Sequence, residues 1–108
     1  MIYRFKSKAG ADVIMMGANG EQVLRLLGRE PAAEGLLPVD QLVAAVSALE
    51  HAVAEDEARF AQLQADAQAA GEPAPKREGV TLRQRVWPLI ELMRHSISAK
   101  VDCFWTAK

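Results

Sequence analysis

A single cysteine, one tyrosine and two histidines are all that this 108-residue chain offers to thiol, phenol and imidazole chemistry. Cys103 has no internal disulfide partner, which agrees with a reducing compartment. His51, His95 and Cys103 fall on three different stretches without the spacing of metal ligands, and no spacing joins a serine, a histidine and an acid. No catalytic residue, metal or cofactor is therefore expected. Half of the residues are apolar, yet no uninterrupted apolar run approaches the roughly 20 residues of a membrane-spanning helix. The opening MIYRFKSKAG lacks the apolar segment of a secretory signal, so the expectation is a cytoplasmic protein with no membrane association. Neither GxGxxG nor GKS or GKT occurs. A chain this short is read as one domain, 1–108, with a modest core and no room for a deep catalytic cleft with lids.

What is present centres on Thr81 to Ala99, TLRQRVWPLIELMRHSISA. Thr81 and Gln84 form a capping box, and Leu82, Val86, Leu89, Ile90, Met93 and Ile97 fall on one helical stripe. Trp87 and Leu92 widen it on either side. Pro88 removes one backbone donor and predicts a bend, since the apolar spacing resumes in register behind it.

Ahead of this helix, Ile2 to Ser7 alternates Tyr3 and Phe5 against Arg4 and Lys6, an amphipathic strand. Asp12 to Met16 completes a hairpin, and its continuous apolar run predicts a strand central in the sheet and covered on both faces, with Met15 and Met16 as core filler. A turn at Gly17, Asn19 and Gly20 leads to a short helix capped by Asn19 and ended by Gly28. That turn reads as a simple connection, with an anion site at its free amides as the alternative. Arg29 to Leu37 reads as a loop. From Pro38 to Ala70 a four-three-four spacing, Leu42, Val46, Leu49, Val53, then Phe60 and Leu63, describes a 33-residue acidic helix about 50 Å long. The row is too long for so small a domain to cover, which leaves self-association, or intramolecular packing with a partly free end. GEPAPKREG, 71–79, is a linker, and Lys100 to Thr106 a last strand with Val101, Cys103 and Trp105 on one face. The expected fold is α+β: a two- or three-stranded, mainly antiparallel sheet, N-terminal hairpin plus C-terminal strand, against a short helix, a long acidic helix and a Pro-bent amphipathic helix.

Charge is unevenly placed. Glu34 to Glu72 holds eight acidic residues against Arg59 alone, while the flanking segments hold twelve basic and six acidic ones. Complementarity between the acidic helix and its basic neighbours accounts for this without any partner. The functional alternative is a basic surface: Arg4, Lys6 and Lys8 line one side of the first strand, and Lys76, Arg77, Arg83, Arg85 and Lys100 join them if the last strand pairs with the first. Beside Tyr3, Trp87 or Trp105, such a surface could hold a nucleic-acid backbone and stack a base.

The segments YRFKSKAGADVIMM, LRLLGREP and above all REGVTLRQRVWPLIELMR resemble the small proteobacterial family catalogued as domain of unknown function 1840. The resemblance covers nearly the whole chain, and Arg83, Arg85, Trp87 and Pro88 belong to its most recognisable segment. It implies a compact cytoplasmic protein of this length, with no established activity, cofactor or catalytic residue to carry over. Arg83, Trp87 and Arg94 lie at neighbouring angles of their helix and form the candidate interaction surface. The functional expectation is a non-enzymatic protein-interaction or accessory domain acting through helix surfaces, or self-association. Nucleic-acid binding, small anionic ligand binding and an enzyme are the alternatives.

Overall fold

A computed structural model describes residues 1–108. The elements are β1 (Ile2–Ser7), β2 (Gly10–Met16), α1 (Gly17–Leu26), β3 (Glu34–Leu37), a 3-10 turn (Val39–Gln41), α2 (Leu42–Ala69), α3 (Leu82–Ala99) and β4 (Cys103–Ala107). They build a small α+β fold, a four-stranded antiparallel sheet in the order β2-β1-β4-β3 with the helices against one face.

The C-terminal strand pairs with the N-terminal one, Phe5 opposite Trp105 and Arg4 opposite Thr106. Alternation sorts the side chains of both central strands. Tyr3, Phe5, Cys103 and Trp105 point inward and are buried, while Arg4 and Phe104 point outward.

Two expectations about the sheet need correction. Glu34–Leu37 is a fourth strand, where Pro31, Gly35 and Pro38 suggested a loop. Its strand character comes from pairing with β4, Leu37 opposite Cys103, and not from local propensity. Gly35 is required there: a Cβ would stand 2.1 Å from Cη2 of the Trp105 indole, which lies across β3. β2 is an edge strand, not a central one covered on both faces. Met15 is buried, but Ile14 and Met16 are 55% and 65% exposed, because no layer covers the outer face of the sheet.

α3 begins as its residues dictate. The Gln84 amide donates to Thr81 Oγ1 at 3.2 Å, and the Thr81 amide donates to Gln84 Oε1 at 3.0 Å, closing the capping box. The helix runs unbroken through Pro88 and buries Val86, Leu89, Ile90, Leu92 and Met93. It ends at Lys100, whose φ of 59° is left-handed. Buried Ser96 is satisfied on three sides: it donates to the Leu92 carbonyl at 2.7 Å, shares a 2.6 Å hydrogen bond with Ser7 and accepts from the Cys103 thiol at 3.2 Å.

α2 packs along α3 and buries Leu42, Val46, Leu49 and Val53, the first half of the four-three-four row. Beyond Val53 no residue of the helix is buried, and Leu63 is 54% exposed. The helix starts four residues later than expected, because Pro38 to Gln41 is taken up by the 3-10 turn and its cap, with the Val39 amide held by Asp102 Oδ1 at 2.8 Å. Its projecting half sets the long dimension of the molecule, 51 Å against 28 and 22 Å.

Candidate functional site

Three arginines on or just before α3 meet three carboxylates on α2. Arg94 reaches Glu50 at 2.8 Å, Arg77 reaches Asp56 at 2.8 Å, and Arg83 grips Glu57 through two bonds of 2.9 and 2.7 Å. Residues 50, 56 and 57 lie on the acidic side of α2, and antiparallel packing brings Arg94 to the earlier rung and Arg83 to the later one. Arg77 also lies over the Phe60 ring, 4.4 Å from its centroid, so the linker segment covers the first apolar residue of the projecting half. The acidic segment and its basic neighbours thus neutralise each other across the helix pair. The Arg83 guanidinium, by hydrogen bond and charge, holds the Glu57 carboxyl below its ordinary value, and Glu57 in turn raises Arg83.

Arg83, Trp87 and Arg94 come together as their helical angles require. Arg94 lies 5.4 Å from the Trp87 ring centroid, and Arg94 also bonds Glu91 at 3.2 Å. Trp87 is 44% exposed and shares an open recess with Arg83, Gln84 and Pro88. Both arginines are already paired within the chain, so the patch is a tryptophan framed by fixed charges, not a free cationic surface.

The basic group divides in two. Lys8 and Lys100 line one recess of about 350 Å³ with Leu36 and Phe104, and Lys6 lies opposite Phe104 on the neighbouring strand. Lys6 contacts Asp12 at 3.8 Å, and Arg4 stands between Ile14 and Thr106. Arg77, Arg83 and Arg85 do not join them. Arg83 is at the opposite end of α3 from Lys100, about 25 Å away at the rise of a helix. Arg85 donates to Gln22 of α1 at 2.8 Å, and Lys76 is exposed in the linker beside Arg77. The proposed stacking partners are corrected as well: Tyr3 and Trp105 are 1% exposed, with the Trp105 indole N–H donating to the Ala32 carbonyl at 3.0 Å. The aromatic ring on the outer sheet face is Phe104, 41% exposed, which the alternation of residues 103–107 signals once β4 is known to lie beside β1.

The family model described as domain of unknown function (DUF1840) matches residues 1–105. The chain belongs to the DUF1840 family. No curated protein and no solved structure matches it.

In this DUF1840 chain the glycines near α1 serve packing. The helix begins at Gly17 with Met16 as its cap residue, so Asn19 lies inside the first turn and makes no capping bond, contrary to the expected turn. Gly20 is buried against Tyr3, where a Cβ would stand 2.4 Å from the ring, and a Cβ on Gly17 would stand 3.0 Å from the Met1 carbonyl oxygen. Close approach of α1 to Tyr3 of β1 explains Gly20, while Gly17 lies against Met1, just ahead of β1. Gly28 has φ of 74° and ends α1 with the Arg29 amide donating back to the Leu24 carbonyl at 2.8 Å.

No group of three or more His, Cys, Asp and Glu side chains is placed to hold a metal ion. His51 pairs with Glu55 at 3.0 Å on the exposed side of α2, and His95 is exposed. Burial pushes the Cys103 thiol up, only partly countered by its hydrogen-bonding neighbours Ser96 and Ser7, the wrong direction for a nucleophile. No helix of the DUF1840 chain is long and apolar enough to cross a membrane.

Proposed function

We propose that this chain is a non-enzymatic interaction domain that docks a protein partner on the α3 surface around Trp87. The observation that carries the reading is Trp87 itself: the only large aromatic of α3 stands 44% exposed between Arg83 and Arg94. Tryptophan and arginine dominate binding hot spots because each contributes much contact area. The Glu57 and Glu50 pairs already restrict both guanidinium groups, so less side-chain freedom is lost on docking. The test is quantitative capture on the tagged chain and on Trp87→Ala, with circular dichroism to verify the fold. A partner recovered in stoichiometric amount by the parent and reduced at least about tenfold by the substitution is expected. Equal recovery by both proteins, or no partner at all, removes the reading.

A second reading, nucleic-acid binding, rests on Lys8 and Lys100 meeting beside Phe104. It requires affinity for a labelled oligonucleotide that declines steeply with salt. Asp12, Glu34 and Asp102 near the same face work against it, since each repels phosphate.

A further inference from the structure

We infer that the recess between the end of α1, β3 and the start of α2 binds a small aliphatic carboxylate, with the acid group held by Arg29 and the chain laid against the apolar lining. The recess has a volume of about 400 Å³, within the range of small-molecule sites. Leu37 and Leu42, both buried, form its floor, and Leu27, Ala45 and Ala48 extend the apolar lining. Of the residues that line it, Arg29 and Gln41 are the polar ones. An apolar wall with a few placed polar groups is the usual composition of a ligand site.

Arg29 makes the recess a site for an anion. Its backbone is fixed where α1 ends: Gly28 is left-handed with φ of 74°, and the Arg29 amide donates to the Leu24 carbonyl at 2.8 Å. Its guanidinium is held as well, with Nη1 donating to the Leu36 carbonyl at 2.8 Å and the central carbon 5.1 Å from the Trp105 ring centroid. A carbonyl and a ring leave the charge uncompensated. Arg77, Arg83 and Arg94 each pair with a carboxylate, whereas half-buried Arg29 pairs with none. Glu30, Glu34 and Asp40 are close in sequence, but they are exposed and none forms an ion pair with it.

The free donors choose the ligand. Nε and Nη2 of Arg29 have no partner, and these are the two nitrogens through which Arg83 grips both oxygens of Glu57. A carboxylate fits such a fork in two parallel bonds. A phosphate dianion would meet a single cation in the recess. An extended peptide would find few partners for its backbone, since α2 spends its own amides and carbonyls within the helix. An aliphatic chain asks for no such partners. For octanoate, with roughly ten non-hydrogen atoms, the efficiency of small ligands gives a dissociation constant of about 0.1–1 mM.

Amide NMR titration of the isotope-labelled full chain with octanoate tests this, with octanol as the uncharged probe of the same length. The octanoate shifts should saturate with the constant above and centre on Leu27, Arg29, Ala45 and Ala48. Octanol should bind at least about tenfold more weakly, the least that a charge-assisted hydrogen bond contributes. Arg29→Gln should weaken octanoate by the same factor and leave octanol unchanged. Ala48→Leu, which narrows the recess and keeps Arg29, should weaken both probes, with circular dichroism verifying the fold of each variant. If Arg29→Gln does not fold, the octanol comparison and Ala48→Leu decide the matter. No saturation below about 10 mM, shifts centred elsewhere, octanol binding as tightly as octanoate, or octanoate binding untouched by either substitution would each overturn the inference. The recess shares no residue with the one at Trp87, so failure of the docking reading leaves these outcomes unaffected.

Discussion

Arg83 and Glu57 face each other as a two-bond fork, Nε to Oε2 at 2.9 Å and Nη2 to Oε1 at 2.7 Å, joining the first turn of α3 to the middle of α2. Two parallel bonds fix the plane of both groups, which a lysine at position 83 could not reproduce. The fork holds the projecting part of α2 against the start of α3 where apolar burial on α2 has already ended.

The Glu57 carboxyl should titrate below its ordinary value of 4.5, principally through the hydrogen bond from Arg83. A folded-state value below the unfolded one means that the linkage is fully present above pH about 4.5 and is lost as the pH falls through the lowered value. Carboxyl NMR titration of the parent and of Arg83→Gln is the measurement. The midpoint should rise in the variant, and identical midpoints would show that the fork does not persist in solution.

Gly35→Ala should destabilise the domain by about 1–3 kcal/mol, the range for forcing atoms into a packed core. The added methyl carbon meets the Trp105 ring at 2.1 Å, and that ring has no free space, being 1% exposed. Urea denaturation gives the loss, and near-UV circular dichroism should show the indole displaced. Unchanged stability would mean that β3 does not lie under Trp105.

Thr81→Ala should cost about 1 kcal/mol, the usual value of a lost N-cap. The capping box is local, so Gln84→Ala should cost less than Thr81→Ala while leaving the melt cooperative. Thermal unfolding of the two variants distinguishes this from a cap made elsewhere.

Leu49→Ala and Leu63→Ala should differ sharply although both lie on the same row of α2. Leu49 is fully buried and its truncation should cost about 2–5 kcal/mol. Leu63 is 54% exposed, and its truncation should stay within about 0.5 kcal/mol. Equal losses in denaturant melts would show that the projecting half is covered in solution.

Cys103 should resist thiol reagents in the folded protein, because it is fully buried and burial raises its pKa, leaving little thiolate at neutral pH. Labelling should appear only with unfolding or local opening, so its rate in increasing urea follows the stability of the sheet and α3. Rapid labelling without denaturant would place the thiol outside the core.

Local patterns carried much of this architecture by themselves. The alternation of Ile2 to Ser7, the box at Thr81 and Gln84, the stripe from Val86 to Met93 and the left-handed Gly28 are each set by neighbours within a few residues, and each appears where the sequence places it. Arg83, Trp87 and Arg94 likewise follow from helical angle alone. Tertiary structure decided the rest. Glu34–Leu37 becomes a strand only because β4 offers it hydrogen bonds, and the glycine that reads as a loop residue is the one that admits Trp105. The apolar run Val13 to Met16 carries no mark of an edge strand, since a strand's place in a sheet depends on which neighbours and layers cover it. The same holds for charge: that Arg77, Arg83 and Arg94 pair with α2, while Lys8 and Lys100 meet beside Phe104, depends on how the helices and strands are brought together. Side-chain identity is local, but burial and pairing belong to the assembled layers.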